Sequence, residues 1–219
     1  PTDRDEVIVV YTDVTAARDA ELAQAESDDR RSRHSAELTL LQSVVHVAGA
    51  ADSFEAAVER VVGLVCEWSD WPLGHAYRVR TDDPERLIPM GIWHLSTPEP
   101  FAALRASTDQ TPVHRGEGAS GQAWQSGDVI WIANVSVDPR VTAQRRAAMP
   151  EIRGACAVPI TSQSGVVGVL EFLAREQLAP ESSVTELLRA IGTVLGRLSE
   201  HLRPLEGAQR TSTPIPDAD

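Results

Sequence analysis

Three glycines in the middle of the chain are spaced like a phosphate-binding loop. Gly116, Gly118 and Gly121 match the pattern G-x-G-x-x-G, which in a dinucleotide-binding fold turns onto a pyrophosphate at the start of a long helix. Here Gly127 stops the chain within two helical turns, and a strand-like run follows at once. We therefore predict that these glycines shape a loop and cap a short helix. Ser120 beside them lacks the spacer residue of the G-x-S-x-G nucleophile elbow.

The histidines and cysteines are not spaced like metal ligands. The six histidines include no H-E-x-x-H motif, and Cys66 and Cys156 form no C-x-x-C pair. Each cysteine lies in an apolar run, which predicts two buried thiols in a reducing compartment. Cys156 leads a strand, so it either faces a pocket or packs in the core. No metal site is predicted.

Glu171 interrupts an otherwise hydrophobic strand. An ionised carboxylate at such a position needs either a buried partner or a wet face. Strand alternation places it on the side of Val169 and Leu173, or else that face is open to solvent. The sequence leaves both arrangements open.

Charge and hydropathy restrict the partners and the compartment. The formal net charge is −12 and all positive side chains are arginines, so no basic surface for nucleic acid is predicted. No apolar run is long enough to span a membrane, and the acidic start is unlike a signal peptide. We expect a cytoplasmic protein with no membrane partner. Because the chain begins at Pro1 and enters a strand-like run at once, we also expect a fragment of a longer protein.

The N-terminal part of the sequence predicts a strand followed by a helical linker. Residues 7–11 form a β-branched run typical of a strand, and residues 16–26 have a helical pattern. Residues 26–37 carry almost no apolar side chain, so any helix there must be exposed or supported by a partner chain. An amphipathic helix over 38–48 follows.

The rest of the chain alternates helices with strands. Ser53 or Asp52 caps a second helix with a wide apolar face, which ends near Trp71. The last two predicted strands are joined by the turn TSQSG and form a hairpin near the sheet centre. The order predicts an α+β fold, an antiparallel sheet with helices mainly on one face. The strands are predicted at 75–80, 87–95, 155–160 and 166–173, and further helices at 100–107 and 139–149.

The closing helix, predicted over 182–202, has an apolar stripe too wide for a single contact. Leu188, Leu195 and Leu202 recur every seven residues beside the main stripe. One part is expected to cover the sheet while the other meets a second helix, which in a homodimer is its own copy. Residues 203–219 are rich in Pro, Thr and Asp and are predicted to be a disordered tail or linker.

The glycine-rich stretch GEGASGQAWQSGDVIWIANVSVDPR, followed by GACAVPI and GVVGVLEF, resembles a GAF domain of a bacterial signal-transduction sensor, of a high-GC, actinobacterial-like kind. Upstream, VIVVYTDVTAARDAE is similar to the end of a PAS domain. The resemblance implies four parts: the terminal strand of a PAS-like domain (1–15), a helical linker (16–37), a GAF domain (38–202) and a tail (203–219).

This resemblance implies a non-catalytic sensory domain that binds a small ligand or dimerises to control an effector. The effector would be a histidine kinase, as in two-component systems, a diguanylate cyclase or a serine phosphatase. The implied homodimer forms through the N- and C-terminal helices, as a coiled coil. Segments that border the ligand cavity in similar GAF domains, or residues able to face it, give these pocket candidates: Trp93, His94, His114, Trp124, Trp131 and Cys156.

Three alternatives come from other GAF proteins. Some bind haem, for which His94 or His114 would be the axial ligand. Some bind a bilin through a cysteine, but Cys66 lies on a helix face among apolar residues and is expected in the core. Some GAF-like folds act on small oxidised substrates, a chemistry in which Cys66 or Cys156 would have to serve.

Overall fold

The computed structural model describes residues 15–80, 83, 85–97 and 101–210 of the chain. The strand predicted at 7–11, which carries the PAS-like resemblance, lies outside the described residues. The chain divides into two compact units, with the boundary between Leu38 and Thr39. The division is close to the predicted start of the GAF domain.

Helix α1 runs from Thr15 to Gly49 without a break. The sequence predicted a helical linker over 16–37 and an amphipathic helix over 38–48, with any helix in the polar segment 26–37 either exposed or supported by a partner chain. That segment is helical and exposed, with exposed ion pairs from Arg31 to Asp28 and from Arg33 to Asp29. Because the segment contains no Gly or Pro and its charges pair at helical spacing, the helix continues through it.

Over its described residues, the second unit contains the end of α1, five further helices and six strands. Ser53 is the N-cap of the second helix, since its Oγ accepts a hydrogen bond from the Ala56 amide at 3.1 Å. The elements that follow α1 are α2 (Phe54–Ser69), β1 (Leu73–Val79), β2 (Arg86–Leu95), α3 (Ala102–Asp109), β3 (Val113–His114), α4 (Gly118–Ser126), β4 (Ile130–Ile132), α5 (Ala143–Ala148), β5 (Gly154–Ser162), β6 (Gly165–Ala174) and α6 (Ser182–Arg210).

All strand pairs in the described sheet are antiparallel, in the order β3-β2-β1-β6-β5-β4. The predicted hairpin is β5 and β6, and both strands lie inside the sheet. The α+β prediction is confirmed.

The sheet separates two cores because successive side chains of a strand point to opposite faces. On β6, Leu170 and Phe172 pack with α2, α6 and the end of α1. Val169 and Leu173 point the other way and pack with the shorter helices α3 and α4. The long helices therefore share one face, as predicted, while the short helices and their loops cover the other.

Helix α6 lies directly against the backbone of β5. A Cβ atom added at Gly192 would be 2.1 Å from the Pro159 carbonyl oxygen, and one at Gly196 would be 1.9 Å from that of Thr161. Farther along, α6 continues past Leu202 to Arg210, so the predicted tail begins inside the helix. A helix gains one backbone hydrogen bond for each added residue, and it can extend beyond its packed stripe.

Replacing Gly196 by Ala should destabilise the fold, although the same change usually favours a helix. The added methyl group would collide with the β5 backbone, and the expected loss is about 1–3 kcal/mol. At Gly63 in α2 the nearest atom to a new Cβ is His94 Nδ1, at 3.7 Å. Gly63→Ala is the matched control and should stabilise the protein by about 0.5–1 kcal/mol. Urea unfolding of both variants tests this, and a stabilised Gly196→Ala variant would contradict it.

Candidate functional site

A cavity of about 270 Å³ lies on the face of the sheet that carries the short helices. Its floor consists of inward-facing strand residues, among them Tyr77, Ala155 and Glu171. Its walls are the end of α3, the first turn of α4, and helix α5 with the loop before it. Gly127 is the C-cap of α4, in the left-handed conformation with φ 71°. The predicted short helix in the glycine-rich stretch is confirmed, but none of the three glycines of the G-x-G-x-x-G pattern is its C-cap.

A buried carboxylate at the floor of the cavity is held by an arginine from α5. Glu171 is 4% exposed, and Arg145 Nη2 donates a hydrogen bond to its Oε2 at 2.7 Å. Glu171 therefore points to the side of Val169 and Leu173, and its partner is a partly buried cation, 26% exposed. The sequence analysis singled out this carboxylate but did not predict Arg145 as its partner. Arg145 lies 26 residues earlier in a short helix without amphipathic periodicity.

The ion pair keeps Glu171 ionised in the core. Burial alone would raise the pKa of this carboxyl group, but the charge of Arg145 and the contact with His75 lower it to about 2. Burial, followed by the negative charge of Glu171, raises the pKa of the neighbouring Tyr77. The floor therefore combines a charged carboxylate with a neutral phenol.

His75 lies between Glu171 and Trp93 in the register of three neighbouring strands. Its ring stacks on that of Trp93 with centroids 4.3 Å apart. The rings of His75 and Tyr77 form a T-shaped pair with centroids 4.9 Å apart. His75 Nε2 is 2.8 Å from Glu171 Oε2. The alignment of these atoms does not meet hydrogen-bond geometry, so Nε2 has no hydrogen-bond partner among the described residues. Trp93 Nε1 donates to Asp109 Oδ1 at 2.8 Å.

A second arginine shapes the loop that precedes α5. Arg140 binds Asp138 with two hydrogen bonds, Nε to Oδ1 at 2.8 Å and Nη2 to Oδ2 at 2.6 Å. Hydrogen bonding from Arg140 lowers the pKa of the Asp138 carboxyl group. Arg146 donates to the Val135 and Asp138 carbonyl oxygens. These contacts hold the loop and so position α5 over the cavity.

Two hydroxyl groups that line the cavity have no partner among the described residues. Thr108 Oγ1 at the end of α3 and Ser120 Oγ in the first turn of α4 are both buried and unbonded. Buried polar groups in proteins are almost always hydrogen-bonded. These two hydroxyls therefore suit a ligand with polar atoms.

The six pocket candidates from the sequence do not line this cavity. Cys156 is fully buried in the core between the sheet and α2 and α6. Trp131 packs against the same core and donates from Nε1 to Thr185 Oγ1 at 3.2 Å. His94 also faces α2, where its Nδ1 approaches Gly63.

The other three candidates lie on the cavity side of the sheet or at its edge. Trp93 and Trp124 pack in the core around the cavity without forming its wall, and Arg115 lies over the Trp124 ring at 4.5 Å. His114 is exposed on edge strand β3. The alternation of side chains along a strand does not by itself show which of them borders a cavity. A role of the six residues in binding stays a prediction.

The two histidines named as axial haem candidates lie apart from the cavity. His94 faces α2 and His114 is exposed on edge strand β3, and neither lines the cavity. No group of three or more His, Cys, Asp or Glu side chains within the described residues could hold a metal ion. Within the same part of the chain, no helix has the length and apolar character needed to cross a membrane.

Sequence comparison assigns the family. The profile of the GAF domain matches residues 51–198. The chain belongs to the GAF domain family. This match lies inside the predicted range 38–202. No curated protein sequence matches the chain.

Solved structures share this GAF fold at low sequence identity. The GAF domain of a Coxiella burnetii phosphoenolpyruvate-protein phosphotransferase is 18% identical with a TM-score of 0.65, covering 78% of this chain and 96% of that one. The corresponding Acinetobacter domain is 16% identical with a TM-score of 0.62, covering 78% and 97%. The free methionine-R-sulfoxide reductase of Neisseria meningitidis, solved with its substrate, is 19% identical with a TM-score of 0.63, covering 77% and 91%. At such identities the likeness shows the fold alone.

Removing the arginine of the buried pair should strongly destabilise the GAF domain. Arg145→Leu leaves Glu171 as a buried charge without its main partner, and we expect a loss of about 3–5 kcal/mol in the free energy of unfolding. The control is Arg175→Leu, which breaks an exposed pair with Glu151 at 3.5 Å and should cost less than about 1 kcal/mol. Equal losses in urea unfolding would contradict a special role for Arg145.

The same variant should respond less to acid. The folded-state pKa of Glu171 lies below its ordinary value of 4.5, at about 2. The stabilisation from this group is therefore complete above about pH 4.5 and is lost as the pH falls towards about 2. In Arg145→Leu the carboxyl group lacks the cation that lowers its pKa, so unfolding free energy should fall less across this range. Parallel curves for the two proteins would rule this out.

Proposed function

We propose that this GAF domain is a non-catalytic sensory domain of a bacterial signal-transduction protein. The observation that carries the proposal is the cavity whose wall contains two hydroxyls, of Thr108 and Ser120, without a hydrogen-bond partner among the described residues. A small ligand there satisfies these groups and contacts the charged floor. Occupancy of the cavity is the signal.

The sheet offers a direct route from the cavity to the long helices. On β6, Glu171 lies in the floor of the cavity, while its neighbours Leu170 and Phe172 point to the opposite side of the sheet and pack against the long helices. Helix α6 rests on the β5 backbone at Gly192 and Gly196 without a side chain between them. Because packed elements of this kind move as units, a ligand that shifts β6 or β5 also shifts α6.

Catalysis by a cysteine is disfavoured in this chain. Burial, with a smaller effect of Glu67, raises the pKa of Cys66 to about 12. Burial and the charge of Glu171 also raise the pKa of Cys156. The reactive form of cysteine is the thiolate, and neither thiol lines the cavity. The fold likeness to methionine sulfoxide reductases therefore does not extend to an exposed nucleophile at these positions.

The finer parts of the proposal rest on the sequence resemblance. The domain acts in the cytoplasm of a high-GC, actinobacterial-like bacterium, after a PAS-like domain and before an effector. A kinase, cyclase or phosphatase is the class of effector that this arrangement suits.

Native mass spectrometry of freshly purified protein tests the sensory role. We expect a small bound mass in the wild type and its loss in Ala148→Trp, because the indole would fill the cavity from α5. Ala133→Trp, at an exposed position outside the cavity, is the control and should keep the bound mass. Circular dichroism confirms that both variants fold.

Two outcomes would count against this function. One is a wild-type protein that carries no bound mass and shows no change in melting temperature with any small-molecule panel. The other is release of methionine when the same sample is incubated with free methionine-R-sulfoxide and a thiol reductant, since this would make the domain a reductase.

The proposed assembly is a homodimer through the terminal helices. An open apolar groove between the end of α1 and α6 is lined by Leu41, Val45, Ala190 and Val194, with Glu186, Arg189 and Arg197 beside them. Val45 is 52% exposed, whereas Leu188 and Leu195 of α6 are fully buried on the sheet. The apolar surface that α6 leaves uncovered is thus on the α1 side, and charges of both signs at its rim suit a second copy of the same surface.

A charge placed in this groove should separate the dimer. Val45→Glu is expected to convert a dimer into a monomer in gel filtration with light scattering, since a buried unpaired carboxylate opposes association. Val137→Glu is the control, because Val137 is 76% exposed in a loop far along the chain, and it should remain dimeric. A wild-type protein that is monomeric at high concentration would contradict the proposal.

A further inference from the structure

The two unpartnered hydroxyls come from different helices and share one cavity. Thr108 and Ser120 are each 3% exposed, and neither hydroxyl has a hydrogen-bond partner among the described residues. A buried hydroxyl without a partner costs the free protein stability. A hydroxyl of this kind in the cavity wall indicates that a polar atom of a ligand forms the missing hydrogen bond.

The first turn of α4 adds amide donors to the same wall. Gly118, Ala119 and Ser120 line the cavity, and the first amides of a helix have no acceptor within it. Glu117 at the N-cap position does not cap them, because its carboxylate accepts instead from the His114 amide at 3.0 Å. The N-terminal end of the helix dipole therefore favours an acceptor with negative charge.

The charges around the cavity limit how much negative charge a ligand carries. Arg140 and Arg145 line it, but each already binds a carboxylate, Asp138 at 2.6 Å and Glu171 at 2.7 Å. Glu117 and Glu171 add two negative charges to the lining. A dianion such as a phosphate monoester finds no uncommitted arginine in this wall, whereas a single negative charge suits the helix terminus.

The rest of the wall is apolar and the space is small. Its apolar side chains include Leu104, Ile132, Val141, Met149 and Leu173. A volume of about 270 Å³ lies near the lower end of the range of ligand pockets, which is roughly 300–1,000 Å³. The body of the ligand is therefore short and hydrophobic.

We propose that the cavity binds a small monocarboxylate, with the carboxylate at the first turn of α4 and the hydroxyls of Ser120 and Thr108, and the apolar part against Val141 and Met149. This inference rests on the proposed sensory function and names its ligand class.

Ligand-observed NMR on the whole chain tests the proposal. The probes are straight-chain and branched monocarboxylates from propionate to octanoate, benzoate, and the primary amide of each acid. We expect saturation transfer and tighter binding for at least one carboxylate than for its amide. Ser120→Ala and Thr108→Val should each weaken that binding by about tenfold to a hundredfold, the usual effect of losing a hydrogen bond to a charged group.

The melting temperature separates a binding role from a structural one. Without ligand, Ser120→Ala should melt at the wild-type temperature or above it, because the change removes an unsatisfied hydroxyl. Ser199→Ala is the matched control. Its hydroxyl is also buried but donates to the Gly196 carbonyl oxygen at 2.7 Å, so this variant should melt at a lower temperature and bind the carboxylate as the wild type does.

The outcomes distinguish the ligand class from the sensory function. If amides bind as well as the acids, or only amides bind, the proposed carboxylate is wrong while a small-ligand sensor stands. If Ser120→Ala binds the carboxylate unchanged, the assigned site is wrong. If no probe of either kind binds, the ligand class is overturned, and the mass spectrometry above then decides the sensory function separately.

Discussion

The pairing of Glu171 with Arg145 constrains the whole cavity side of this GAF domain. A carboxylate in the middle of a central strand is costly unless a cation reaches it, and here the cation comes from a short helix that has little apolar surface of its own. Helix α5 contributes no fully buried residue, so its position depends on this ion pair and on the arginine contacts of the preceding loop. Arg145 and Ala148 of α5 line the cavity together with Glu171 on the sheet.

The sheet has two faces with different physical tasks. The helical face is closed by aliphatic packing and by the direct contact of α6 with β5. The other face has a charged floor, stacked rings of His75 and Trp93, and hydroxyls with no hydrogen-bond partner in the part of the chain that the structure describes. The first face is packed with aliphatic side chains, while the second retains polar groups whose hydrogen bonds are not all formed. This division is expected of a fold that holds a binding site on a rigid scaffold.

The candidate site could be predicted only in part. Glu171 was recognisable because an ionised carboxylate inside an apolar strand requires a partner or contact with solvent. The glycine-rich stretch was correctly predicted to contain a short helix, and in the structure this helix borders the cavity. The tryptophans were a weaker guide, since an indole fills a core as readily as it lines a pocket, and Trp131 belongs to the helical face. Arg145 lies in a short polar helix, where no sequence period separates a side chain that points inward from one in solvent. Thr108 follows Leu104 at helical spacing, but this spacing does not show that its hydroxyl borders a cavity.

The sequence by itself determined the α+β class, the order of most elements, a helix cap at Ser53 or Asp52 and the buried state of both cysteines. These follow from local chemistry, namely side-chain periodicity, capping and turn residues, which act over a few neighbouring positions. Tertiary structure alone decided which face Glu171 takes, which arginine meets it, and where the cavity opens. Those outcomes depend on contacts between residues far apart in the chain, and such contacts are fixed only when the strands pair and the short helices pack over them.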